Sequence, residues 1–499
     1  MEVRNLSRIK ILLFALALLF VSTSSSYAET ERRYVRLTIL HTNDTHAHLL
    51  PFNYPAVVTN YGKEQKLPAY RNIGGIARRA TLIKQIKHNT KGPVLVMDTG
   101  DLLDGSPFSL EFQGEADIEA MNATGYDVMT VGNHEFNNNI SDFRKRQHEA
   151  LFPLLGANVF QTKDGQPFLQ PYVIKDVDGL KVAVLGLTTQ VNYMDGVSMK
   201  DAVSAAREWI PKLRSQADAV ILLSHLGYDE DAAIACQVPG IDAIIGGHSH
   251  TRLEKPILIS GKQPASAFWV GGTVIAQDFQ WGGELGCVEL IFRKGDSGCT
   301  LMSYSGRLIP ITNSIPEDPA VHRVVDNYYR KIAKKYDRVV CQAESDFTGE
   351  APANLLCDIL RTTFNTDFCI AGSGRSDLVA GPITMADVTE FFPFNNTVVT
   401  FDISGSDLKQ VLSKHAPNGT NLEYSVKGTT LIDAKIGGKD IEDGKTYSGV
   451  ANSYLAWCYL PRNVKVTETG KNVRDTLVQY LEAKKVISPD SKPRIRYID

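Results

Sequence analysis

The sequence predicts an α/β fold, because short apolar runs alternate with amphipathic stretches and end repeatedly in polar residues. The first run, Tyr34 to Leu40, alternates as a strand does and leads into Asp44 and His46. Apolar residues at near-helical spacing then predict a loop and a helix between Pro68 and Asn89. Since ligand sites in open α/β sheets lie beyond the carboxyl ends of strands, the first strand exit is a candidate functional site.

Residues 1–28 are predicted to be a secretory signal peptide. Basic residues precede an apolar run from Ile11 to Val21, and Ser26 and Ala28 supply the small residues of a cleavage site. This run is short for a membrane span, and no later segment is long enough for one. We therefore expect an exported protein, periplasmic or secreted, with no membrane span in the mature chain.

The composition is that of an ordinary globular protein with more than one hydrophobic core. The chain has 499 residues, of which 43% are hydrophobic and 22% charged, and its net charge is -3. It shows no strongly basic stripe, so binding to a nucleic acid polymer is not expected, although nucleotides remain possible. Its seven cysteines show no CxxC spacing, and an odd number leaves at least one thiol unpaired.

Four later apolar runs end in possible metal ligands, as the first does. These runs are Pro93 to Met97, Tyr126 to Val131, Ala219 to Leu223 and Asp242 to Ile245, and the residues after them are Asp101, then Asn133 and His134, then His225, then His248 and His250. A single histidine at a strand end is most often an ordinary polar residue. The repetition favours a metal site, and this mixture of imidazole, carboxylate and amide oxygen suits Zn, Mn or Fe rather than Ca.

The motifs at these exits resemble the five sequence blocks of the calcineurin-like metallophosphoesterases. They are Asp44-Thr45-His46, Gly100-Asp101, Gly132-Asn133-His134-Glu135, Ser224-His225 and Gly247-His248-Ser249-His250. Their order and spacing more closely resemble the secreted 5'-nucleotidase branch, which includes UDP-sugar hydrolases and 2',3'-cyclic-nucleotide phosphodiesterases. The resemblance implies a four-layer α/β/β/α catalytic domain over 29–302, a linker with a helix over 303–338, and a smaller α/β substrate-binding domain of the 5'-nucleotidase type over 339–499.

The resemblance also implies two divalent metal ions. By matching position, one would bind Asp44, His46, Asp101 and His250, and the other would bind Asp101, Asn133, His225 and His248. Two such ions about 3.5–4 Å apart can hold both the attacking and the leaving oxygen of a displacement at phosphorus. The resemblance assigns His134, beside a ligand, to stabilising or protonating the leaving side.

Asn137 departs from the pattern of the 5'-nucleotidases and sugar hydrolases, which usually have Asp at this position. The cyclic-nucleotide phosphodiesterase and 3'-nucleotidase relatives have Asn. An amide can orient the His134 ring but cannot stabilise its charged form as a carboxylate would. Three interpretations follow. The substrate is a diester or a less demanding phosphate, or the protein keeps monoesterase activity with a less basic His134. The third is that the exchange of Asp for Asn is tolerated without an effect on the substrate.

Three residues of the C-terminal part match substrate-binding positions of the family. Arg375 ends a glycine-containing turn and would clamp a phosphate or carboxylate. Phe394 and Tyr454 would stack on a nucleobase, with packing in the core as the alternative for both. The family's Gly-Gly-Asp-Gly run is absent, since the chain has Trp457 to Arg462 there, so ribose recognition is not predicted to follow the family pattern.

The sequence favours an exported phosphohydrolase with two metal ions, most simply a 5'-nucleotidase that releases phosphate from nucleoside monophosphates. A 2',3'-cyclic-nucleotide phosphodiesterase/3'-nucleotidase, slightly favoured by Asn137, and a UDP-sugar hydrolase are alternatives. A secreted binding protein without catalysis is a third class, and the complete set of ligand positions argues against it. The expected partner is a small-molecule nucleotide or a related phosphate ester.

Overall fold

The computed structural model describes residues 34–54, 57–60, 63–191, 195–260, 271–295, 298–372 and 374–498. The predicted signal peptide, 1–28, and Ser373 of the glycine-containing turn lie outside the described residues. The described chain divides into two compact units. The first holds the residues up to Thr45, Arg79–Asp101 and Thr124–Ile311, and the second holds His46–Arg78, Leu102–Ala123 and Thr312–Asp499.

Two six-stranded mixed sheets form the first unit. In spatial order, one contains Gly298–Pro310, Glu284–Gly295, Tyr34–Thr42, Val94–Asp98, Val128–Thr130 and Leu154–Leu155. The other contains Tyr172–Val177, Leu180–Thr188, Ala219–His225, Ala243–Gly246, Gly272–Ala276 and Ile257–Ser260. The four strands from Tyr34–Thr42 to Leu154–Leu155 run parallel, as do the four from Leu180–Thr188 to Gly272–Ala276. Their carboxyl ends therefore carry the loops that hold the predicted site.

The two sheets pack face to face through one apolar core. Side chains of the first sheet, such as Ile39 and Met97, share a buried cluster with Val184 and Ile221 of the second sheet. The strands Leu180–Thr188 and Ala219–His225 are nearly continuous apolar runs because both of their faces are buried.

Helices lie outside both sheets, which confirms the predicted α/β/β/α arrangement. Ala202–Arg214 and Tyr228–Gln237 pack on the outer face of the second sheet. The helix Ile76–Asn89 lies on the outer face of the first sheet. Its Arg79 donates a hydrogen bond to the Tyr126 hydroxyl, and this hydroxyl also lies 2.9 Å from Thr42 Oγ1. A further helix, Ile140–Glu149, and a short pair of strands, Val159–Gln161 and Val197–Met199, complete the unit.

The second unit is built around a five-stranded sheet with apolar clusters on both faces. Its order is Asn418–Thr420, Phe368–Ala371, Thr446–Asn452, Thr397–Ser404 and Val466–Asn472. Smaller sheets contain Gly381–Thr384, Val339–Ala343 and Val486–Ile487, and Lys439–Asp440, Thr430–Ile436, Leu422–Lys427 and Ile495–Tyr497. Two antiparallel strand pairs join Pro51–Phe52 with Ile73–Gly74 and, between these in the chain, Val57–Asn60 with Lys63–Lys66. The helices are Pro107–Phe112, Glu115–Thr124, Pro319–Tyr336, Ala351–Phe364, Met385–Phe391, Gly405–His415, Ser453–Tyr459 and Val473–Lys484.

The helix predicted in the linker is confirmed and spans Pro319–Tyr336. Asp318 caps it by accepting hydrogen bonds from the first backbone amides, and proline at its first turn fits the helix start. The Tyr328 hydroxyl, on the buried face of this helix, lies 3.0 Å from a carboxylate oxygen of Glu115 and 2.7 Å from one of Glu119, both in the helix Glu115–Thr124. Residues 303–310, expected in the linker, belong instead to the strand Gly298–Pro310, which pairs along its length with its neighbour. Among the described residues, no helix has the length and apolar character needed to cross a membrane.

Candidate metal centre

Carboxylates and imidazoles from several strand ends of the first unit meet in a small volume. His225 Nε2 lies 3.1 Å from Asp101 Oδ2 and 4.0 Å from Asp44 Oδ1, and His250 Nε2 lies 3.2 Å from Asp44 Oδ1. Asp101, His225 and His248 each offer a ligand atom, and these atoms lie within 4.8 Å of one another. Donors from both sheets thus converge on Asp44 and Asp101, as the parallel strand ends predict.

The orientation of these groups is fixed by their other hydrogen bonds. The Nδ1 atom of His225 lies 2.6 Å from the Thr99 carbonyl oxygen, so this nitrogen donates its proton there and Nε2 points to the carboxylates. The Oδ1 atom of Asp101 accepts from the His134 backbone amide at 2.9 Å. Both contacts use backbone groups of neighbouring strand exits, so the sheets themselves determine the positions of the side chains.

Left-handed backbone conformations are concentrated at the predicted ligands. Five of the seven have positive φ: Asp44 (50°), His46 (47°), Asp101 (57°), His248 (71°) and His250 (50°). Such a conformation costs a residue with a Cβ about 1–2 kcal/mol. Strain of this kind persists only where the surrounding structure enforces it, and it clusters at functional sites.

The carboxylates of the site require positive charge. Burial alone would raise the pKa of Asp44, but the neighbouring His250 and His225 rings lower it below the usual value. Burial alone would likewise lower the pKa of His225, yet Asp101 and Asp44 raise it to about 10. Burial, assisted by the positive charge of His225, lowers the pKa of His248 to about 4.

The residues fit divalent metal ions on two grounds. The buried Nε2 of His225 makes no hydrogen bond of acceptable geometry within the described part of the chain, although it lies 3.1 Å from Asp101 Oδ2. Glycines also line the site, and a Cβ at Gly132 would lie 2.2 Å from Asp101 Oδ1. A cation would satisfy the carboxylates, and the neutral imidazoles would then serve as nitrogen ligands.

His134 and Asn137 lie at the same edge of the site. His134 begins a short 3-10 turn, and its Nε2 is 3.8 Å from Asp101 Oδ2. The Asn137 amide nitrogen lies 2.7 Å from His134 Nδ1. When this amide donates to Nδ1, the neutral ring carries its proton on Nε2, which is the atom nearer to Asp101.

Two supporting residues received no role from the sequence. The buried carboxylate of Glu135 accepts from the backbone amides of Gly132 at 2.5 Å and of Asp101 at 2.9 Å, so it joins two of the loops. Asn43 bonds to Asp44 directly. Both residues are adjacent to predicted site residues in the sequence, and this adjacency is the signal that could have identified them.

Asn133, in the first unit, directly precedes the 3-10 turn, and its carbonyl oxygen accepts from the Phe136 amide at 3.1 Å; metal binding by its side chain stays a prediction. The other predicted residues belong to the second unit. His46 is buried, with Nδ1 2.8 Å from the Leu103 carbonyl oxygen and Nε2 2.7 Å from an Arg375 guanidinium nitrogen. Nε2 therefore accepts a hydrogen bond from Arg375. Only Thr45 separates His46 from Asp44 in the sequence, and metal binding by His46 stays a prediction. The Arg375 guanidinium carbon lies 5.7 Å from the centre of the half-buried Phe394 ring. The side chain of Tyr454 is 59% exposed, so the core-packing alternative is wrong for this residue.

The chain matches two family models in succession. Residues 37–252 match the calcineurin-like phosphoesterase family, and residues 333–457 match the 5'-nucleotidase C-terminal domain. Protein UshA of Yersinia enterocolitica is 28% identical over 483 residues, covering 82% of this chain and 83% of that protein. A 5'-nucleotidase of Vibrio cholerae is 28% identical over 531 residues, covering 91% of both chains.

A solved structure resembles both units. The 5'-nucleotidase precursor from Thermus thermophilus has a TM-score of 0.81 and 25% sequence identity, with 93% of this chain and 99% of that chain covered. Together with the cluster of Asp and His side chains, these matches identify the class of protein. The chain combines a calcineurin-like phosphoesterase domain over 37–252 with a 5'-nucleotidase C-terminal domain over 333–457, and it is a hydrolase of phosphoric esters that depends on two divalent metal ions.

Proposed function

We propose that the protein is an exported 5'-nucleotidase that releases phosphate from nucleoside monophosphates. The observation that carries this proposal is the convergence of Asp44, Asp101, His225, His248 and His250 in a chain that also matches the 5'-nucleotidase C-terminal domain. The relatives named 5'-nucleotidase in Vibrio cholerae and Thermus thermophilus support the same substrate class.

The proposed ligands are those expected from the sequence. Asp44, His46, Asp101 and His250 would hold one divalent ion, and Asp101, Asn133, His225 and His248 would hold the other. When bound, the ions supply positive charge that stabilises the oxygens of the displacement at phosphorus. Zn, Mn and Fe all suit this mixture of nitrogen and oxygen donors.

His134 is proposed to stabilise the leaving oxygen by donating a hydrogen bond from Nε2, since a neutral ring that gave up this proton would be left as an imidazolate. Its Nε2 carries the proton when the Asn137 amide donates to Nδ1 across 2.7 Å. Its Nε2 lies 3.8 Å from Asp101 Oδ2, so the hydrogen bond would be offered beside a proposed metal ligand, and the backbone amide of His134 also binds Asp101. Asn137 is thus proposed to fix both the orientation and the tautomer of the catalytic ring.

The second unit is proposed to bind the nucleotide. The charge of Arg375 lies beside the Phe394 ring, as recognition of an anionic group next to a flat base requires. The exposed Tyr454 would stack on the base, at about 1–3 kcal/mol per stacked base. The two family matches support the proposed division into a catalytic domain, now extended from 302 to Pro310, and a substrate-binding domain over 339–499, with the linker between them.

Asn137 favours a second candidate, a 2',3'-cyclic-nucleotide phosphodiesterase with 3'-nucleotidase activity. The contact of Asn137 with His134 provides no negative charge to stabilise a protonated ring, in contrast to the Asp of the usual pattern. Such a ring suits a substrate whose leaving group needs less help from a charged acid.

The proposal is tested by assaying the purified mature chain, loaded with Mn or Zn, against AMP, UMP, 3'-AMP, 2',3'-cyclic AMP and UDP-glucose. We expect the highest kcat/KM for the 5'-monophosphates. A preference for the cyclic substrate would replace the proposal with the second candidate, and no phosphate release from any of the five would refute it. Amino-terminal sequencing of the protein secreted by an expression host tests export, with cleavage expected after Ala28.

A further inference from the structure

Asn43 is a fully buried side chain at the metal centre, placed between the strand Tyr34–Thr42 and Asp44. Its amide nitrogen donates to Asp44 Oδ2 at 2.7 Å and to the Phe279 carbonyl oxygen at 2.5 Å. Its amide oxygen accepts from the Asp278 backbone amide at 2.9 Å. Both donor hydrogens and the acceptor of this amide are therefore used, each by a different group.

These bonds determine how the Asp44 carboxylate is presented. Oδ2 accepts from two donors, Asn43 Nδ2 at 2.7 Å and the His248 backbone amide at 2.9 Å. Oδ1 shares the His248 amide more weakly, at 3.2 Å, and it is the oxygen that lies 3.2 Å from His250 Nε2 and 4.0 Å from His225 Nε2. Asn43 thus anchors one oxygen, and the other faces the ring nitrogens.

The same amide joins two segments whose backbones are held in left-handed conformations. Asp44 has φ of 50°, and on the other segment Phe279 has 83° and Trp281 has 62°. The backbone amide of Trp281 donates to the Asp44 carbonyl oxygen at 2.8 Å, which adds a backbone bond to the side-chain bonds of Asn43. A residue with a Cβ adopts such a backbone only when its surroundings enforce it, and Asn43 contacts both segments.

We propose that Asn43 is a positioning residue for the metal centre, whose amide locks the Asp44 carboxylate with Oδ1 turned toward the bound cation. This inference rests on the proposed function only through the metal site that Asp44 helps to form. Hydrogen-bond partners of metal ligands typically contribute 10–100-fold to metal affinity, so loss of the amide should weaken metal binding by about that factor.

Two variants and a matched control separate this role from a general contribution to folding. Asn43→Ala removes all three bonds, whereas Asn43→Asp keeps the volume and the bond from Asp278 but, when ionised, offers no donor to Asp44 or Phe279. Asn158 is an equivalent buried amide in the same unit. It donates to the carbonyl oxygens of Thr188 at 2.7 Å and Lys200 at 3.3 Å, and it accepts from the Thr188 amide at 3.1 Å. None of these described contacts is with a proposed metal ligand, so Asn158→Ala serves as the control.

The experiment is isothermal titration of the metal-free mature chain with Mn²⁺, combined with thermal unfolding of the same samples. We expect both Asn43 variants to raise the Kd for Mn²⁺ at least tenfold, and Asn158→Ala to stay within twofold of the wild type while its Tm falls. The inference would be overturned if Asn43→Asp kept the Kd for Mn²⁺ within twofold of the wild type. It would also be overturned if Asn43→Ala and Asn158→Ala raised this Kd by the same factor. Absence of Mn²⁺ binding by the wild type would overturn the proposed function together with it.

Discussion

Replacing Gly132 by alanine tests the geometry of the metal centre with a single methyl group. The added Cβ would lie 2.2 Å from Asp101 Oδ1, 2.7 Å from the Asp101 backbone nitrogen and 2.7 Å from His225 Cε1, whereas ordinary contact begins at 3.4 Å. The Asp101 carboxylate would have to retreat by about 1.2 Å, the difference between 3.4 and 2.2 Å. It cannot do so freely, because Oδ1 accepts from His134 and the backbone amide of Asp101 donates to Glu135.

The size of the effect follows from this displacement. A misplacement of about 1 Å in a catalytic group can lower the rate about 10²-fold. Crowding of a packed site also costs about 1–3 kcal/mol of stability. The backbone of Gly132 does not have a positive φ, so alanine at this position adds steric overlap without backbone strain. We therefore expect kcat to fall about 100-fold and Tm to fall by several degrees, by the usual conversion of such energies.

The assay is release of p-nitrophenol from p-nitrophenyl phosphate at saturating Mn²⁺, with Tm measured in parallel. Gly444→Ala is the matched control, because a Cβ there would meet nothing within 4 Å and its backbone also lacks a positive φ. The control should retain the wild-type kcat and Tm. If Gly132→Ala kept kcat within threefold of the wild type, Asp101 and His225 could not be packed against Gly132 during catalysis, and the reasoning would be refuted.

Four further outcomes are expected. Asp101→Asn should abolish turnover in the same assay, because its carboxylate lies 3.1 Å from His225 Nε2 at the centre of the proposed ligands, and easily measured residual activity would speak against its role. Tyr454→Ala should raise KM for AMP about tenfold, from the loss of about 1–3 kcal/mol of stacking, and leave KM for p-nitrophenyl phosphate unchanged; an equal rise for both would exclude stacking. Burial raises the pKa of Asp231 to about 8 in the folded protein, so folding favours the protonated carboxyl. This contribution to the free energy of unfolding is fully present below about pH 4, the pKa of the unfolded chain, and is lost as the pH rises toward 8. Asp231→Asn should therefore reduce the decline of Tm between pH 5 and 8, and unchanged pH dependence would count against this cause. Dialysis against EDTA should remove activity and Mn²⁺ or Zn²⁺ should restore it, whereas activity that survives chelation would contradict metal dependence.

The strand exits were predictable because hydrophobic runs and the residues after them are adjacent in the sequence. The predicted strand at Tyr126 to Val131 is nevertheless shorter, spanning Val128–Thr130. Tyr126 turns its hydroxyl toward Thr42 and Arg79, and the Asp127 carboxylate accepts from the Val96 amide. These contacts join residues far apart in the chain, which local periodicity does not register.

Other features of the site depend on tertiary contacts and could not be read from residue patterns. The positive φ at Asp44 and His250 is enforced by the packing of the loops, since neither residue is a glycine. The contact between Arg375 and His46 joins positions separated by 329 residues. The division of the chain into discontinuous units likewise follows from contacts and not from composition.

Anomalous diffraction from crystals soaked with Mn²⁺ measures the metal sites most directly. The proposed function requires two anomalous peaks about 3.5–4 Å apart, with the Asp101 carboxylate between them. One peak should contact Asp44 and His250, and the other should contact His225 and His248. A single peak, or peaks away from Asp101, would contradict the central claim that these strand ends jointly hold two catalytic ions.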